Sequence, residues 1–234
     1  MELVHAPVPE LKNLLTESFE DFAASERKQG AQRDHTLSCA LSGGGTALIF
    51  LPALRAAKVD WSKITLFWTD ERAVPADDPE SNYGIADRML LSPLGAKAPR
   101  AIRMPADMPS LAEAAVRYDD VLAAELGGRL DLVLLGFGED GHVASLFPGH
   151  VALTQNDLRA VAVEDAPKAP KRRLSLTMRY LLQARKIWIV AVGPRKLPVL
   201  QAALSKTQRS TPLDMVLHQA KNVTVFTDQV IRRR

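Results

Sequence analysis

The sequence of 234 residues predicts an α/β fold, with a doubly wound, mostly parallel sheet and helices on both faces. Three observations predict this fold. Helix-like and strand-like segments alternate along the chain, the strand-like segments are nearly continuous apolar runs, and polar loops follow four of them. Continuous apolar strands are typical of a parallel sheet that is covered on both faces. Because the chain shows neither an internal repeat nor a clear linker, we expect a single domain over residues 1–234.

The spacing of apolar residues places the elements in chain order. Leu and Phe side chains recur at helical spacing over residues 8–28, which predicts a first amphipathic helix. Strands are predicted at 36–41, Ile64–Trp68, 130–135, 187–192 and 223–226, with weaker candidates at Ala160–Val163 and 173–177. Further helices are predicted over 46–57, from about Ser81, over 110–126 and over 194–204. Pro52 predicts a kink or a late start in the second helix, and Ser110 with Glu113 predicts a capping box at the fourth.

The composition indicates a soluble globular protein and excludes several other classes. No stretch approaches the roughly 18 apolar residues of a membrane span, and the first residues lack the basic start and apolar core of a secretory signal. The net charge of +3 equals the three arginines at 232–234, which we expect to form a frayed tail, so a nucleic-acid partner is not expected. The single cysteine, Cys39, excludes an internal disulfide and fits a cytoplasmic location.

Four polar loops follow predicted strands and are expected to meet at one edge of the sheet, because the carboxyl ends of parallel strands converge there. These loops are 42–46, 69–72, 136–142 and 193–196. In the first of them, Ser42, Gly43, Gly44, Gly45 and Thr46 lead into a helix, so backbone N–H groups and two hydroxyls could bind a phosphate. A tight turn without a ligand is the alternative. The pattern is neither a Walker loop nor a dinucleotide fingerprint.

Charged side chains lie in two more of these loops. Asp70, Glu71 and Arg72 come directly after a buried strand, so these charges should have partners, although a solvated turn is the alternative. Arg72 suits bidentate contact with a phosphate or a carboxylate. Lys196 lies between a strand and a helix, where it could reach an anion as a point charge. The basic segment 167–173 is more typical of a solvated loop.

His142 lies in the glycine-rich stretch 136–149, close to Glu139 and Asp140. A lone histidine in a loop is often structural, but a nearby carboxylate can hold the imidazole in one tautomer and support the proton that it accepts. A metal site is not expected, because no second histidine or thiolate cluster has ligand spacing. These residues predict a metal-free enzyme that acts on a small phosphorylated substrate with a histidine base. They leave the reaction undetermined.

Several motifs, taken together, carry a more specific signal. In chain order they are Leu-Ser-Gly-Gly-Gly-Thr at 41–46, Trp-Thr-Asp-Glu-Arg-Ala-Val-Pro at 68–75, Ser-Asn-Tyr at 81–83, Gly-Phe-Gly-Glu-Asp-Gly-His-Val-Ala-Ser-Leu-Phe-Pro-Gly at 136–149, Ala-Pro-Lys at 166–168 with Arg-Leu-Ser-Leu-Thr at 173–177, and Gly-Pro-Arg-Lys at 193–196. Through them the chain resembles the 6-phosphogluconolactonase family over nearly its whole length. The resemblance implies a Rossmann-like fold and hydrolysis of 6-phospho-D-glucono-1,5-lactone to 6-phosphogluconate in the oxidative pentose phosphate pathway, with no metal or organic cofactor.

The resemblance also implies roles for individual residues. His142 would be the general base that activates water, with Asp140 or Glu139 orienting it. The glycine loop and Lys196 would hold the phosphate, while Arg72 and Arg173 would bind the phosphate or the developing oxyanion. The full set of predicted substrate-binding or phosphate-binding residues is Ser42, Gly43, Gly44, Gly45, Thr46, Asp70, Arg72, Asn82, Lys168, Arg173 and Lys196.

Two alternative functions are open at this point. A sugar-phosphate deaminase or isomerase of the same fold would carry Asp-Glu-Tyr in place of Asp-Glu-Arg at 70–72, and Asn and Glu in the segment where this chain has Ala-Ser-Leu-Phe-Pro at 144–148. A non-catalytic sugar-phosphate sensor would need a DNA-binding segment, and no helix-turn-helix pattern precedes residue 36. The expected partner is a small phosphosugar lactone, with no nucleic acid or membrane. We expect a monomer or a weak dimer.

Overall fold

The computed structural model describes residues 1–29, 36–205 and 210–231. Within these ranges the strands are β1 (Glu2–His5), β2 (Leu37–Leu41), β3 (Ile64–Trp68), β4 (Asp70–Arg72), β5 (Arg100–Ala101), β6 (Leu132–Leu135), β7 (Ala160–Val163), β8 (Arg173–Leu176), β9 (Lys186–Ala191) and β10 (Val223–Thr227). The α-helices are α1 (Val8–Gln29), α2 (Gly44–Ala56), α3 (Asn82–Ala86), α4 (Ser92–Leu94), α5 (Leu111–Glu125), α6 (Met178–Leu182), α7 (Lys196–Ser205) and α8 (Pro212–Gln219). The predicted frayed tail at 232–234 lies outside the described residues.

Seven strands form one parallel sheet in the order β1-β10-β9-β6-β2-β3-β5. Every residue of β2, β3, β6 and β10 is buried, as expected for apolar strands that are covered on both faces. The chain adds β3 and β5 on one side of β2 and then returns to add β6, β9 and β10 on the other. The order therefore reverses between β2 and β6, which places a crevice beyond their carboxyl ends.

A small antiparallel sheet stands apart from the main one, in the order β4-β8-β7. The weaker strand candidates at Ala160–Val163 and 173–177 are confirmed as strands of this sheet. Residues 70–72 were predicted as a loop and instead form β4. The reason is Thr69, whose N–H donates to Leu41 O in the main sheet while its carbonyl accepts from Leu176 N beside β8. The chain thus leaves the main sheet and enters the small sheet at Thr69.

The helices largely follow the predicted positions. The late start predicted for α2 is wrong, because this helix begins at Gly44 and continues through Pro52. Ser110 caps α5 by accepting a hydrogen bond from Glu113 N at 3.2 Å. The helix α8 was not predicted, and it begins with a capping box between Thr211 and Asp214. No helix in the described part of the chain combines the length and the apolar character that a membrane crossing requires.

Candidate active site

A cleft of about 380 Å³ lies at the carboxyl ends of the central strands, at the point where the strand order reverses. Most of the predicted site residues line it, and they come from the loops after β2 and β6, from the antiparallel sheet and from the starts of α3 and α7. The predicted residues in its lining are Ser42, Gly43, Gly44, Gly45, Thr46, Asp70, Arg72, Asn82, His142, Arg173 and Lys196. The expected convergence of separate polar segments at one edge is therefore found in the structure.

The glycine loop forms one wall of the cleft and begins α2. The first N–H groups of a helix have no partner within the helix, and the helix dipole makes that end attractive to an anion. Residues 43–46 provide these groups at the cleft. The Ser42 hydroxyl is held by the protein itself, because Oγ donates to Leu134 O at 2.9 Å and lies 3.1 Å from Thr69 Oγ1. Backbone N–H groups rather than the Ser42 hydroxyl are therefore the donors of this loop that are available to an anion.

His142 and Asp140 form a hydrogen-bonded pair beside the cleft. Nδ1 of His142 lies 2.5 Å from Oδ1 of Asp140, and the imidazole ring packs on Phe147 with 4.5 Å between ring centroids. The loop folds tightly around this ring, because a Cβ at Gly138 would lie 2.1 Å from Nδ1. Only glycine allows that approach. With Nδ1–H donated to the carboxylate, Nε2 is the ring nitrogen that can accept a proton.

The environment shifts the pKa values of both partners. Burial lowers the pKa of His142, although the hydrogen bond and the charge of Asp140 oppose that effect. Burial works to raise the pKa of Asp140, but its hydrogen bonds to His142 and Lys168 and the charge of His142 prevail, so this pKa lies below its ordinary value. At neutral pH the pair therefore consists of a carboxylate and a neutral imidazole, which are the forms that a general base requires.

Glu139 does not take part in this pair. Its side chain is 59% exposed and faces Arg195, with 3.6 Å between Arg195 Nη1 and Oε1. Of the two carboxylates predicted to orient the histidine, Asp140 is therefore the one that contacts its ring, and Glu139 contacts Arg195 instead. The two neighbouring carboxylates point to different partners because they are successive residues of a turn, where the backbone sends adjacent side chains in different directions.

Asp70 and Asn82 line the cleft, and both are engaged in hydrogen bonds within the protein. Asp70 is buried, and its Oδ2 accepts a hydrogen bond from Ser145 Oγ at 2.7 Å. Nδ2 of Asn82 donates to the backbone carbonyl of Asp70 at 2.8 Å and approaches its Oδ1 at 3.3 Å. These contacts join β4, the start of α3 and the loop after His142, so the positions of the cleft walls depend on one another.

Two arginines face each other across the antiparallel sheet. Arg72 pairs with Arg173 in the register of β4 and β8, and both line the cleft. Arg72 Nη1 donates to the carbonyl of Glu80. Arg173 is 5% exposed, and most of its N–H groups are directed at carbonyls of the segment 168–170. Arg72 is therefore the arginine that is less committed to internal contacts.

The two predicted lysines occupy different places. Lys196 lines the cleft, where its Nζ donates to Phe137 O and lies 5.1 Å from the centre of the Phe137 ring. Burial lowers the pKa of Lys196. Lys168 instead contacts Asp140, with 3.2 Å between its Nζ and Oδ2. Lys196 therefore lies in the cleft wall, whereas Lys168 contacts the carboxylate that is paired with His142.

Glu71 and Ser145 are two site residues for which no role was predicted. The buried Glu71 carboxylate accepts four hydrogen bonds, from the backbone N–H groups of Arg72, Asn82 and Tyr83 and from the Ser81 hydroxyl. It therefore ties β4 to the start of α3. A charged residue between two predicted ligands, directly after a buried strand, was the available signal for such a structural role.

Across residues 1–29, 36–205 and 210–231, no cluster of three or more His, Cys, Asp or Glu side chains could hold a metal ion.

Fold and site together define the chain as an α/β enzyme. The family model described as glucosamine-6-phosphate isomerases/6-phosphogluconolactonase matches residues 10–226, and the chain belongs to this family. The 6-phosphogluconolactonase of Mycobacterium tuberculosis is 38% identical over 175 residues, which cover 70% of this chain and 71% of that protein. The probable chloroplastic 6-phosphogluconolactonase 3 of Oryza sativa subsp. japonica is 37% identical over 237 residues, covering 92% of this chain and 71% of that protein.

Solved structures give the same result for the fold. The 6-phosphogluconolactonase of Shewanella baltica superposes with a TM-score of 0.85 at 26% identity and covers 97% of both chains. The enzyme of the same name from Trypanosoma brucei gives a TM-score of 0.81 at 27% identity, covering 97% of this chain and 95% of that one. These comparisons confirm the predicted family resemblance, the α/β fold and the prediction of an enzyme that is a carboxylic ester hydrolase of the lactonase type.

Proposed function

We propose that this chain hydrolyses 6-phospho-D-glucono-1,5-lactone to 6-phosphogluconate and that His142 is the general base. The observation that carries the proposal is the 2.5 Å contact between His142 Nδ1 and Asp140, beside a cleft that also holds a helix start and several cations. The names of the similar proteins support the choice of substrate. A neutral imidazole with one nitrogen held by a carboxylate is suited to remove a proton from water.

The phosphate group would bind at the glycine-loop wall of the cleft. The first N–H groups of α2 supply hydrogen-bond donors there, and Lys196 supplies a positive charge on the same cleft. Arg72 adds a planar guanidinium that can bind two oxygens at once. With the phosphate held in this way, the lactone ring at the other end of the substrate extends toward His142, which lines the same cleft.

The proposed reaction depends on the proton that Asp140 holds on Nδ1 of His142, because this arrangement leaves Nε2 able to accept a proton. Nε2 of His142 takes a proton from water as the water oxygen bonds to the lactone carbonyl carbon, and the carbonyl electrons move onto its oxygen. Arg72 and Arg173 supply positive charge for this oxyanion or for the phosphate. When the carbonyl re-forms, the bond from carbon to ring oxygen breaks and the imidazolium returns its proton to that ring oxygen. The products are the open-chain acid, which ionises at neutral pH, and the free enzyme.

The direct test follows the lactone itself. The substrate is generated in situ with glucose-6-phosphate dehydrogenase, and its disappearance is measured with and without the protein. We expect clear acceleration over spontaneous hydrolysis, and no acceleration would refute the lactonase proposal. Release of ammonia from glucosamine 6-phosphate would instead favour the deaminase alternative.

A matched pair of histidine variants tests the base. His142→Asn should lower kcat by about 10²–10⁴-fold, because general acid–base catalysis typically contributes that much. His5→Asn, in the edge strand β1, should retain the activity of the wild type. Near-full activity of His142→Asn would exclude His142 as the base.

The cytoplasmic location, the monomer or weak dimer, and the lack of nucleic-acid and membrane partners stay predictions.

A further inference from the structure

We propose that Lys168 is a positioning residue that acts on His142 through Asp140, and that it does not bind the phosphate of the substrate. The inference rests on the proposed function in one respect, namely that His142 is the base. It assigns to Lys168 a different role from the substrate contact that the sequence predicts.

The geometry is a chain of three side chains. One carboxylate oxygen of Asp140, Oδ1, lies 2.5 Å from Nδ1 of His142, and the other, Oδ2, lies 3.2 Å from Nζ of Lys168. The carboxylate therefore bridges the imidazole and the ammonium. Because each of its oxygens has a separate partner, the carboxylate cannot rotate without losing both contacts, and Oδ1 stays aligned with Nδ1.

The backbone that carries Lys168 is held by Arg173. Nε of Arg173 donates to Pro170 O at 2.7 Å, and Nη2 donates to the carbonyls of Lys168 and Ala169 at 3.0 and 3.2 Å. Arg173 itself belongs to β8 and is almost fully buried. A buried strand residue thus fixes three consecutive carbonyls, so the Lys168 side chain begins from a defined place although its own end is half exposed.

The cleft already has other cations for an anionic substrate. Arg72, Arg173 and Lys196 all line it. Among the described residues that form its lining, neither Lys168 nor Asp140 appears. The position of Lys168 therefore favours an action on the Asp140 carboxylate over a direct contact with the substrate.

The charge of Lys168 has a defined effect on the base. The positive charge of Lys168 beside Asp140 weakens the attraction of that carboxylate for an imidazolium, so the neutral form of His142 is favoured. Lys168 lowers the pKa of His142, and Asp140 and Asp70 raise it, while burial lowers it most. The charged groups from other elements that lie near this pair are Asp70 of β4, Arg173 of β8 and Lys196 of α7.

The test compares Lys168→Met with Lys168→Arg, which keeps the charge, and with Lys171→Met, an exposed lysine of the same loop. The NMR titration of His142 and the pH profile of kcat/KM are measured for each. In Lys168→Met we expect the His142 titration and the acid limb to move to higher pH by about 0.5–1 pH unit. We expect kcat to fall several-fold on the acid limb and KM to change less than two-fold. Lys168→Arg should restore the titration, and Lys171→Met should match the wild type.

Two results would overturn the inference. One is a KM raised ten-fold or more in Lys168→Met with an unmoved His142 titration, which would make Lys168 a phosphate ligand. The other is a Lys168→Met protein with the titration and kinetics of the wild type. Because the NMR titration does not depend on turnover, it distinguishes a failure of this inference from a failure of the proposed lactonase function. In that case the His142 titration would still move in Lys168→Met although neither protein accelerated lactone hydrolysis.

Discussion

Gly43 packs against the side-chain amide of Asn82 so closely that a Cβ at position 43 would lie 1.7 Å from Oδ1. The amide orientation is set by Nδ2, which donates to the carbonyl of Asp70 at 2.8 Å. Asn82 thus connects the glycine loop after β2 with β4. The two walls of the cleft meet through this contact, so the spacing between them depends on the missing side chain of Gly43.

Gly43→Ala should therefore destabilise the protein and distort the cleft. Asn82 is 2% exposed and hydrogen-bonded, so it cannot move aside without losing its contact with Asp70. We expect a loss of about 1–3 kcal/mol in the free energy of unfolding, as is typical of overpacking. Urea denaturation measures this loss. Gly45→Ala is the matched control, because a Cβ there would meet no atom within 4 Å. Equal losses in the two variants would show that the contact with Asn82 is not the cause.

The activity should fall in acid as His142 gains a proton. Burial holds the pKa of His142 below its ordinary value of 6.5, and the neutral imidazole is the form that the proposed general base requires. We therefore expect kcat/KM to be constant near neutral pH and to fall with a slope of one as the pH drops below 6.5. A stopped-flow assay corrected for spontaneous hydrolysis measures this profile.

The phosphate of the substrate has a titration of its own, which has to be distinguished from that of His142. A phosphate monoester also ionises near pH 6. The profile is therefore repeated with glucono-1,5-lactone, which carries no phosphate. A limb that is present with both substrates belongs to the enzyme, and a limb at or above pH 6.5 with both would contradict the effect of burial.

The lowered pKa of His142 also predicts that the free energy of unfolding decreases as the pH falls from about 6.5 toward that pKa, because the unfolded chain then binds the proton more tightly.

Asp140→Asn should be far more damaging than Glu139→Gln. The amide can donate to Nδ1 and so favour the tautomer with the proton on Nε2, which cannot act as a base. We expect a fall in kcat of about 10²–10⁴-fold for Asp140→Asn. Glu139 is exposed and faces Arg195, so Glu139→Gln should stay within two-fold of the wild type. A large loss in Glu139→Gln would return that residue to the catalytic pair.

Lys196→Ala should mainly affect binding of the phosphate. A hydrogen bond to a charged group contributes about 1.5–3 kcal/mol, which corresponds to a rise in KM of about 10–100-fold for the phosphorylated lactone. The KM for glucono-1,5-lactone should not change, because that substrate has no phosphate. Lys186→Ala, whose ammonium lies over the Trp188 ring away from the cleft, is the control. A rise in KM for both substrates would mean that Lys196 does not select the phosphate.

The main sheet could be predicted from local pattern, and the small sheet could not. The strands β2 and β3 are runs of five buried residues, so their sequences alone indicate them. The strand β1 was missed because it is a short edge strand with exposed ends. The strand β4 is polar, and its partner β8 lies about a hundred residues further along the chain. Only tertiary contacts show that residues 70–72 form a strand.

The site was predictable to a similar degree. The His142–Asp140 contact is local, because the two residues are only two positions apart in the sequence. The choice between Asp140 and Glu139 depends on the turn geometry, which sequence letters do not specify. The place of Lys168 depends on the carbonyls that Arg173 holds, and those contacts appear only when the chain has folded. Residue type therefore indicated which side chains gather at the cleft, while the backbone determined which of them touch.

The register of Arg72 opposite Arg173 has a consequence for handling the protein. Like charges placed directly opposite each other across a sheet destabilise it. The carboxylates of Asp70 and Glu80 offset part of this repulsion at Arg173, and we expect a bound phosphate or sulfate to offset more of it. Ligand binding to the folded state alone raises the melting temperature in proportion to the logarithm of ligand concentration. We therefore expect a higher melting temperature in phosphate than in chloride at equal ionic strength, so that melting temperatures from the two buffers describe different equilibria.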